Sequence, residues 1–165
     1  PLHLHHTYGV GELAFERQDA VLAEVVAADF VLTHEDRDLH IDGSVDTAVL
    51  CRCARCTSEF LRPVSAHFDL SYVPQPKGRK EKDEIELKYE EMDVAFYDGV
   101  RLDVDLMVVE QIELALPMKF VCREECKGLC YRCGRDLNDG PCGCGSEGPD
   151  PRLSALLEFR EKKKD

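Results

Sequence analysis

Residues 39–72, LHIDGSVDTAVLCRCARCTSEFLRPVSAHFDLSY, hold two alternating runs separated by a cysteine-bearing connection. In the first run Leu39, Ile41, Gly43, Val45, Thr47, Val49 and Cys51 fall at period two, while His40, Asp42, Ser44, Asp46 and Arg52 take the other phase. Successive side chains of a strand point to opposite faces, so this spacing predicts a strand with one buried side. Val64, Ala66, Phe68, Leu70 and Tyr72 repeat the period, which predicts a long hairpin whose connection contains Cys53 and Cys56. Upstream, residues 21–32 are rich in β-branched and apolar types and end in HEDRD, a turn into the Leu39 strand. The expected fold class is α+β: an antiparallel β-meander, barrel-like, with one packed helix and a cysteine-rich tail.

Further along, PQPKGRKEKDE, residues 74–84, is charged and carries two prolines, which predicts a mobile loop. Residues 85–97 have room for a further strand or two. Leu102, Leu106, Val109, Ile112 and Leu116 then recur three or four apart, which predicts a helix near 103–116 with one apolar stripe facing the sheet. Asp103 or Asp105 is its expected cap, and Pro117 its stop. At the end of the chain, Asp150, Pro151, Leu153, Leu156 and Leu157 followed by lysines predict a short helix in accord with its dipole. The expected organisation is a β-rich body over 1–120 and a metal-binding tail over 121–165, packed on the body through its terminal helix.

With 165 residues the chain suits one compact core plus an appendage, and no apolar run approaches the roughly 18 residues that would span a bilayer. PLHLHHTYGV lacks the basic and apolar regions of a secretory signal, so the expected compartment is the cytoplasm. In a reducing compartment closely spaced cysteines serve as metal ligands more often than as disulfide partners, and an odd total of nine does not pair completely. The formal charge of −12 opposes coating of nucleic acid by bulk electrostatics, so any contact with RNA must be local.

Cys51 shares the buried phase of its strand and is expected in the core, as free cysteine behaves as a small hydrophobe. Eight thiols remain, in four close pairs: Cys53 with Cys56, Cys122 with Cys126, Cys130 with Cys133, and Cys142 with Cys144. Eight thiols make two tetrahedral quartets, and two structural zinc ions are the expected cofactors. The more local partition joins Cys130, Cys133, Cys142 and Cys144, leaving Cys53, Cys56, Cys122 and Cys126 to tie the tail to the sheet. The rival takes Cys122, Cys126, Cys130 and Cys133 together, a run that an iron–sulfur cluster also suits. The local partition is the preferred one, since a quartet drawn from four crowded neighbours strains the chain more, but spacing alone does not choose between them.

Four thiolates close the coordination shell of zinc, whereas a catalytic site keeps one position open, so no catalytic residue and no small-molecule substrate are expected. A thioredoxin-like enzyme wants C-x-x-C at a helix start in a βαβ unit, and here the motif joins two antiparallel strands. His3, His5 and His6 fit a strand edge, while His34, His40 and His67 fall at turns or on solvent-facing strand positions. Asp103, Asp105, Glu110 and Glu113 read either as a solvated helix face or as a surface for a basic protein such as a ribosomal one. Against the overall charge, Arg52, Arg55, Arg62, Lys119, Arg123, Lys127, Arg132 and Arg135 flank the cysteines. They have two available roles: neutralising thiolates, or forming a basic patch for RNA phosphates or another partner.

CARC after a strand, VVEQIELALPMKFVC, CKGLCYRCGRDLN, CGC and DPRLSALL occur in this order over roughly residues 39–159. The combination resembles the YceD family, the large ribosomal RNA subunit accumulation proteins of bacteria and chloroplasts. The family's C-x-R-C stands at Cys53, Arg55 and Cys56, its E-Q-I-x-L-x-L-P segment at Glu110 to Pro117, and its C-x-G-L-C-x-x-C-G-x-x-L-N signature at Cys126 to Asn138. Tyr131 departs from the proline that many members carry there, which leaves the ligand pattern intact. The resemblance implies a cytoplasmic, non-enzymatic factor for synthesis, processing or stability of 23S ribosomal RNA, with a large-subunit precursor, the rRNA or a ribosomal protein as partner. Two other classes compete: a zinc-dependent or thiol-redox enzyme, and a zinc-ribbon DNA-binding regulator, which the charge disfavours.

Overall fold

A computed structural model describes residues 1–75 and 94–144. All but the first two residues of the loop expected over 74–84, any strand before Val94 and the C-terminal helix lie outside the described residues. The chain divides into two compact units, Pro1–Ala54 with Ser58–Cys122, and Arg55–Thr57 with Arg123–Asp165.

The first unit is built on the hairpin. Its strands, in chain order, are β1 (Leu2–Tyr8), β2 (Ala20–Leu22), β3 (Val26–Glu35), β4 (Asp38–Arg52), β5 (Glu59–Pro74) and β6 (Val94–Tyr97), followed by helix α1 (Val104–Ala115). β4 and β5 pair from Leu39↔Tyr72 to Arg52↔Glu59, so one unbroken register sets the apolar phases side by side. Ile41, Val45, Val49, Val64 and Phe68 are buried on that face. Pro74 ends β5 rather than opening a loop.

Residues 21–32 do not form one strand. β2 and β3 both pair with β4, and between Leu22↔Val49 and Ala27↔Asp46 the first chain advances five residues while β4 advances three. This bulge is held by the Ala23 N–H, which donates to the Ala48 carbonyl at 3.0 Å. β1 adds to β3 in antiparallel register, Leu2↔Leu32 to Tyr8↔Val26.

Two features correct the expected topology. Among the described residues the sheet runs β1-β3-β4-β5-β6 and is open, with β1 and β6 as its ends, so no barrel closes there. Its apolar face is covered by α1, which packs on β4 and β5, so burial is achieved without the sheet curling onto itself. β6 also runs parallel to β5, so the sheet is mixed rather than purely antiparallel.

Asp103 caps α1, its side chain accepting from the Leu106 N–H at 3.0 Å. The buried side is Met107, Val108, Val109 and Ile112, with Leu116 just beyond. Leu106, expected in the packed stripe, is instead 55% exposed. At 100° per residue it lies about 160° around the helix from the fully buried Val108, outside the face that touches the sheet. No helix among the described residues is long and apolar enough to cross a membrane.

The described part of the second unit has little regular structure. Its centre is a tight reversal in which Leu129 and Asp136 form an isolated bridge and the Leu137 N–H donates to the Gly128 carbonyl at 2.9 Å.

Candidate metal centres

The β4–β5 register ends at Arg52↔Glu59, which leaves Cys53 to Ser58 as the connection. The Cys53 N–H donates to the Ser58 carbonyl at 2.9 Å, and the Ala54 N–H to the carbonyl of the buried Phe120 at 2.8 Å. That second bond fixes the chain just ahead of Cys122, whose own N–H points at the Cys53 sulfur at 3.5 Å. Such a donor stabilises a thiolate.

In the second unit Arg55 has a structural task. Its guanidinium donates to the carbonyls of Glu124 at 2.9 Å and Cys126 at 3.0 Å, while its own carbonyl accepts from the Leu129 N–H at 3.0 Å. Asn138 holds the same turn from another side. Its side-chain oxygen accepts from the Lys127 N–H at 2.9 Å and its amide nitrogen donates to the Cys126 sulfur at 3.4 Å, with Asp136 fixing that amide at 2.6 Å.

Eight of the nine cysteines fall into two groups: Cys53, Cys56, Cys122 and Cys126, and Cys130, Cys133, Cys142 and Cys144. Within each group all four sulfurs lie within 4.8 Å of one another. Four sulfurs set tetrahedrally at about 2.3 Å from one ion stand about 3.8 Å apart, so small side-chain shifts bring either group into a closed shell. Each group could therefore hold a metal ion. Three members of the first group are buried, whereas Cys133 of the second is exposed.

The two C-x-x-C turns share a backbone device. The residue after each second cysteine is left-handed, Thr57 at φ 62° and Gly134 at φ 71°. In the second turn the Gly134 N–H donates to the Cys130 carbonyl at 2.9 Å and the Cys130 N–H to the Arg135 carbonyl at 2.8 Å. The N–H groups of Cys133 and Arg132, and then the Cys142 thiol, hold the Cys130 sulfur well below the usual thiol range, at about 6. Hydrogen bonding to Cys133, with burial next, pushes Cys144 up to about 12. Four clustered sulfurs cannot all carry charge without a cation, so one is favoured as thiolate and another retains its proton.

Cys51 belongs to neither group. It is 2% exposed in the core of the sheet, its S–H donates to the Phe60 carbonyl at 3.5 Å, and burial raises its pKa.

Among the flanking cations, Arg52 pairs with Glu59 at 3.3 Å, and Arg62 points to solvent from β5. Lys119, Arg123, Lys127, Arg132 and Arg135 are exposed. The histidines take no part in either group. His5, His40 and His67 lie on the open side of the sheet against Asp29, Asp69 and Asp42, and His6 meets the Tyr8 ring edge-on at 4.4 Å.

Sequence reasoning did not single out Asn138, Gly128 or Phe120 as parts of the site. The first two stand in the motif from Cys126 to Asn138, and their spacing from Cys126 was the available signal.

A protein-family model described as large ribosomal RNA subunit accumulation protein YceD matches residues 41–160. The chain is 25% identical over 148 residues to a protein of Arabidopsis thaliana named large ribosomal RNA subunit accumulation protein YCED homolog 1, chloroplastic, covering 76% of this chain and 46% of that protein. A Zea mays protein of the same name is 25% identical over 130 residues, 64% of this chain and 44% of its own length. An uncharacterized protein of Mycobacterium tuberculosis is 30% identical over 119 residues, 72% of this chain and 54% of its own. The chain thus spans about half the length of the curated relatives it matches. No solved structure matches.

Proposed function

The chain belongs to the YceD family, and from that premise we propose that it is a non-enzymatic, cytoplasmic ribosome-biogenesis factor supporting synthesis, processing or stability of 23S ribosomal RNA. The observation that carries this reading is that the family match, residues 41–160, contains all eight clustered cysteines. The metal chemistry and the family name therefore belong to the same stretch of chain.

Zinc is the ion we assign to both groups. Thiolates in fours suit it, and the run Cys122, Cys126, Cys130 and Cys133, which an iron–sulfur cluster would use as one set, divides two and two between the groups. Bound by four thiolates, zinc supplies cross-linking rather than an open position for substrate. The residues around it act as the frame: Arg55 and Asn138 hold the turns, and the amides of Cys122, Cys133 and Arg132 face sulfur.

Docking on a large-subunit precursor is assigned to the exposed cations of the second unit, Arg123, Lys127, Arg132 and Arg135. In a chain of charge −12 such a cluster gives the local contact to phosphates that the bulk charge denies. Arg55 is not a free contact residue, since its guanidinium is spent on backbone carbonyls.

The test is sedimentation of the full-length protein from gently lysed cells through a sucrose gradient, with fractions probed for the protein and for precursor 23S rRNA. Comigration with large-subunit precursors that is lost in Arg123→Glu/Lys127→Glu supports the reading. Protein remaining at the top of the gradient at low salt, or comigration untouched by the double variant, counts against it.

A further inference from the structure

We propose that the outward face of α1 is a docking surface for a basic amphipathic helix of a partner protein. This deepens the docking reading above, on which it rests for its biological setting, by naming a second contact surface and the chemistry of what occupies it.

The face is defined within the first unit. Leu106, Glu110, Glu113 and Leu114 lie together on the side of α1 turned away from the sheet, since the buried Val108 and Ile112 occupy the opposite side. Leu106 is 55% exposed and Leu114 78%, and Met118, just past the helix, is 98% exposed. A helix that serves only to cover a sheet normally turns polar residues outward, but here two leucines flank two glutamates. At the Leu106 end the face runs into a cavity of about 280 Å³ whose lining includes Tyr72, Phe96, Arg101, Leu102, Leu106 and Glu110.

Charge decides the occupant. The helix carries no basic residue in its last turn, and Glu113 stands there against the negative end of the helix dipole. Arg17, hydrogen-bonded to Asp19, already lies close enough to Glu113 to feel its charge, and a cation on the partner would add to that compensation. Leucines eight residues apart, about two helical turns, call for apolar anchors at the same spacing on the partner, and the glutamates between them for lysine or arginine. A phosphate backbone or an anionic lipid surface would be repelled by the same glutamates. A second copy of this face would bring glutamate onto glutamate in a two-fold contact.

The probe is a fluorescein-labelled helical peptide with leucine at i and i+8 and lysine elsewhere, titrated against the zinc-loaded protein and followed by anisotropy. Its counterpart with glutamate replacing lysine is the first control. Two variants report on the face, Glu110→Lys/Glu113→Lys and Leu106→Ser/Leu114→Ser, with far-UV circular dichroism showing that the fold persists. A third, Asp42→Lys/Asp69→Lys on the open side of the sheet, makes the same change in net charge elsewhere. The proposal expects the lysine peptide alone to bind, each α1 variant to weaken it at least about tenfold, and the sheet variant to change it by less than about threefold. It is overturned if the lysine peptide does not bind, if the sheet variant weakens it as much as the glutamate variant does, or if the serine variant leaves it unchanged. These outcomes are independent of whether the protein comigrates with ribosomal precursors, so the two readings can fail separately.

Discussion

Replacing Gly128 by alanine tests whether the turn between the two cysteine groups is held as described. Gly128 has φ 73°, and a Cβ built on it would stand 2.9 Å from the Arg55 carbonyl oxygen and 3.3 Å from the Arg55 Cβ. The left-handed backbone costs an alanine roughly 1–2 kcal/mol. Overpacking against a backbone atom that cannot rotate away adds about 1–3 kcal/mol, and the stiffer unfolded chain returns about 0.4–1 kcal/mol. The net loss is about 3 kcal/mol. Gly134 provides the matched control, because it is also left-handed at φ 71° but a Cβ there meets nothing within 4 Å. Gly134→Ala should therefore cost only about 1 kcal/mol, the backbone part less the unfolded-state part. Amide hydrogen exchange at Leu129 and Leu137, which donate to the carbonyls of Arg55 and Gly128, reads the opening of this turn directly. At buffered free zinc, Gly128→Ala should speed exchange on the order of 100-fold and Gly134→Ala about fivefold. Equal effects of the two substitutions would refute the close approach of Arg55 and, with it, the role given to that residue.

Three other expectations follow from the same geometry. Thr57 is a β-branched residue at φ 62°, so Thr57→Gly should raise stability by about 0.5–1 kcal/mol once the entropy of glycine is counted, seen as a higher thermal midpoint of the zinc-loaded protein; a lower midpoint would sink the idea. Cys51→Ser should leave the bound metal count unchanged while costing about 1–3 kcal/mol in urea unfolding, because the hydroxyl is placed in the core. Tyr8 is held at about 12 by burial and by donation to Asp105, so the folded state favours its neutral phenol. Its stabilising contribution should be complete below about pH 10 and fade as pH rises toward 12. In absorbance titration Asp105→Asn should bring that ionisation down, and an unshifted titration would count against the hydrogen bond.

The hairpin was legible because a sheet with one buried face writes its register as strict alternation, and Leu39–Cys51 and Val64–Tyr72 both do so. Burial of Cys51 followed from the same phase. The division of residues 21–32 into β2 and β3 was not legible, because a bulge of two extra residues keeps the period-two parity that an unbroken strand has. The parallel pairing of β6 depends on where a long connection returns, which local pattern does not encode. Leu106 was placed on the wrong side of α1 because spacings of three and four drift around the helix, and only the contact with the sheet fixes which arc is covered. At the metal centres the cysteines could be named from spacing, and the strain of drawing a quartet from four crowded neighbours favoured the local grouping that the structure shows, although spacing alone did not decide it. Arg55 shows a different limit: a cation beside cysteines can equally face a phosphate or a carbonyl, and its hydrogen bonds to Glu124 and Cys126 are tertiary.

The measurement that bears most directly on the account is the metal content of the full-length protein, by native mass spectrometry with elemental analysis, for the wild type and for Cys53→Ser, Cys130→Ser and the double variant. Closed thiolate quartets release metal when one ligand is removed. The expected result is two zinc ions per chain, one in each single variant and none in the double variant. Iron in place of zinc, a single ion in the wild type, or a single variant that still holds two would contradict the assignment of two structural zinc centres to these eight cysteines.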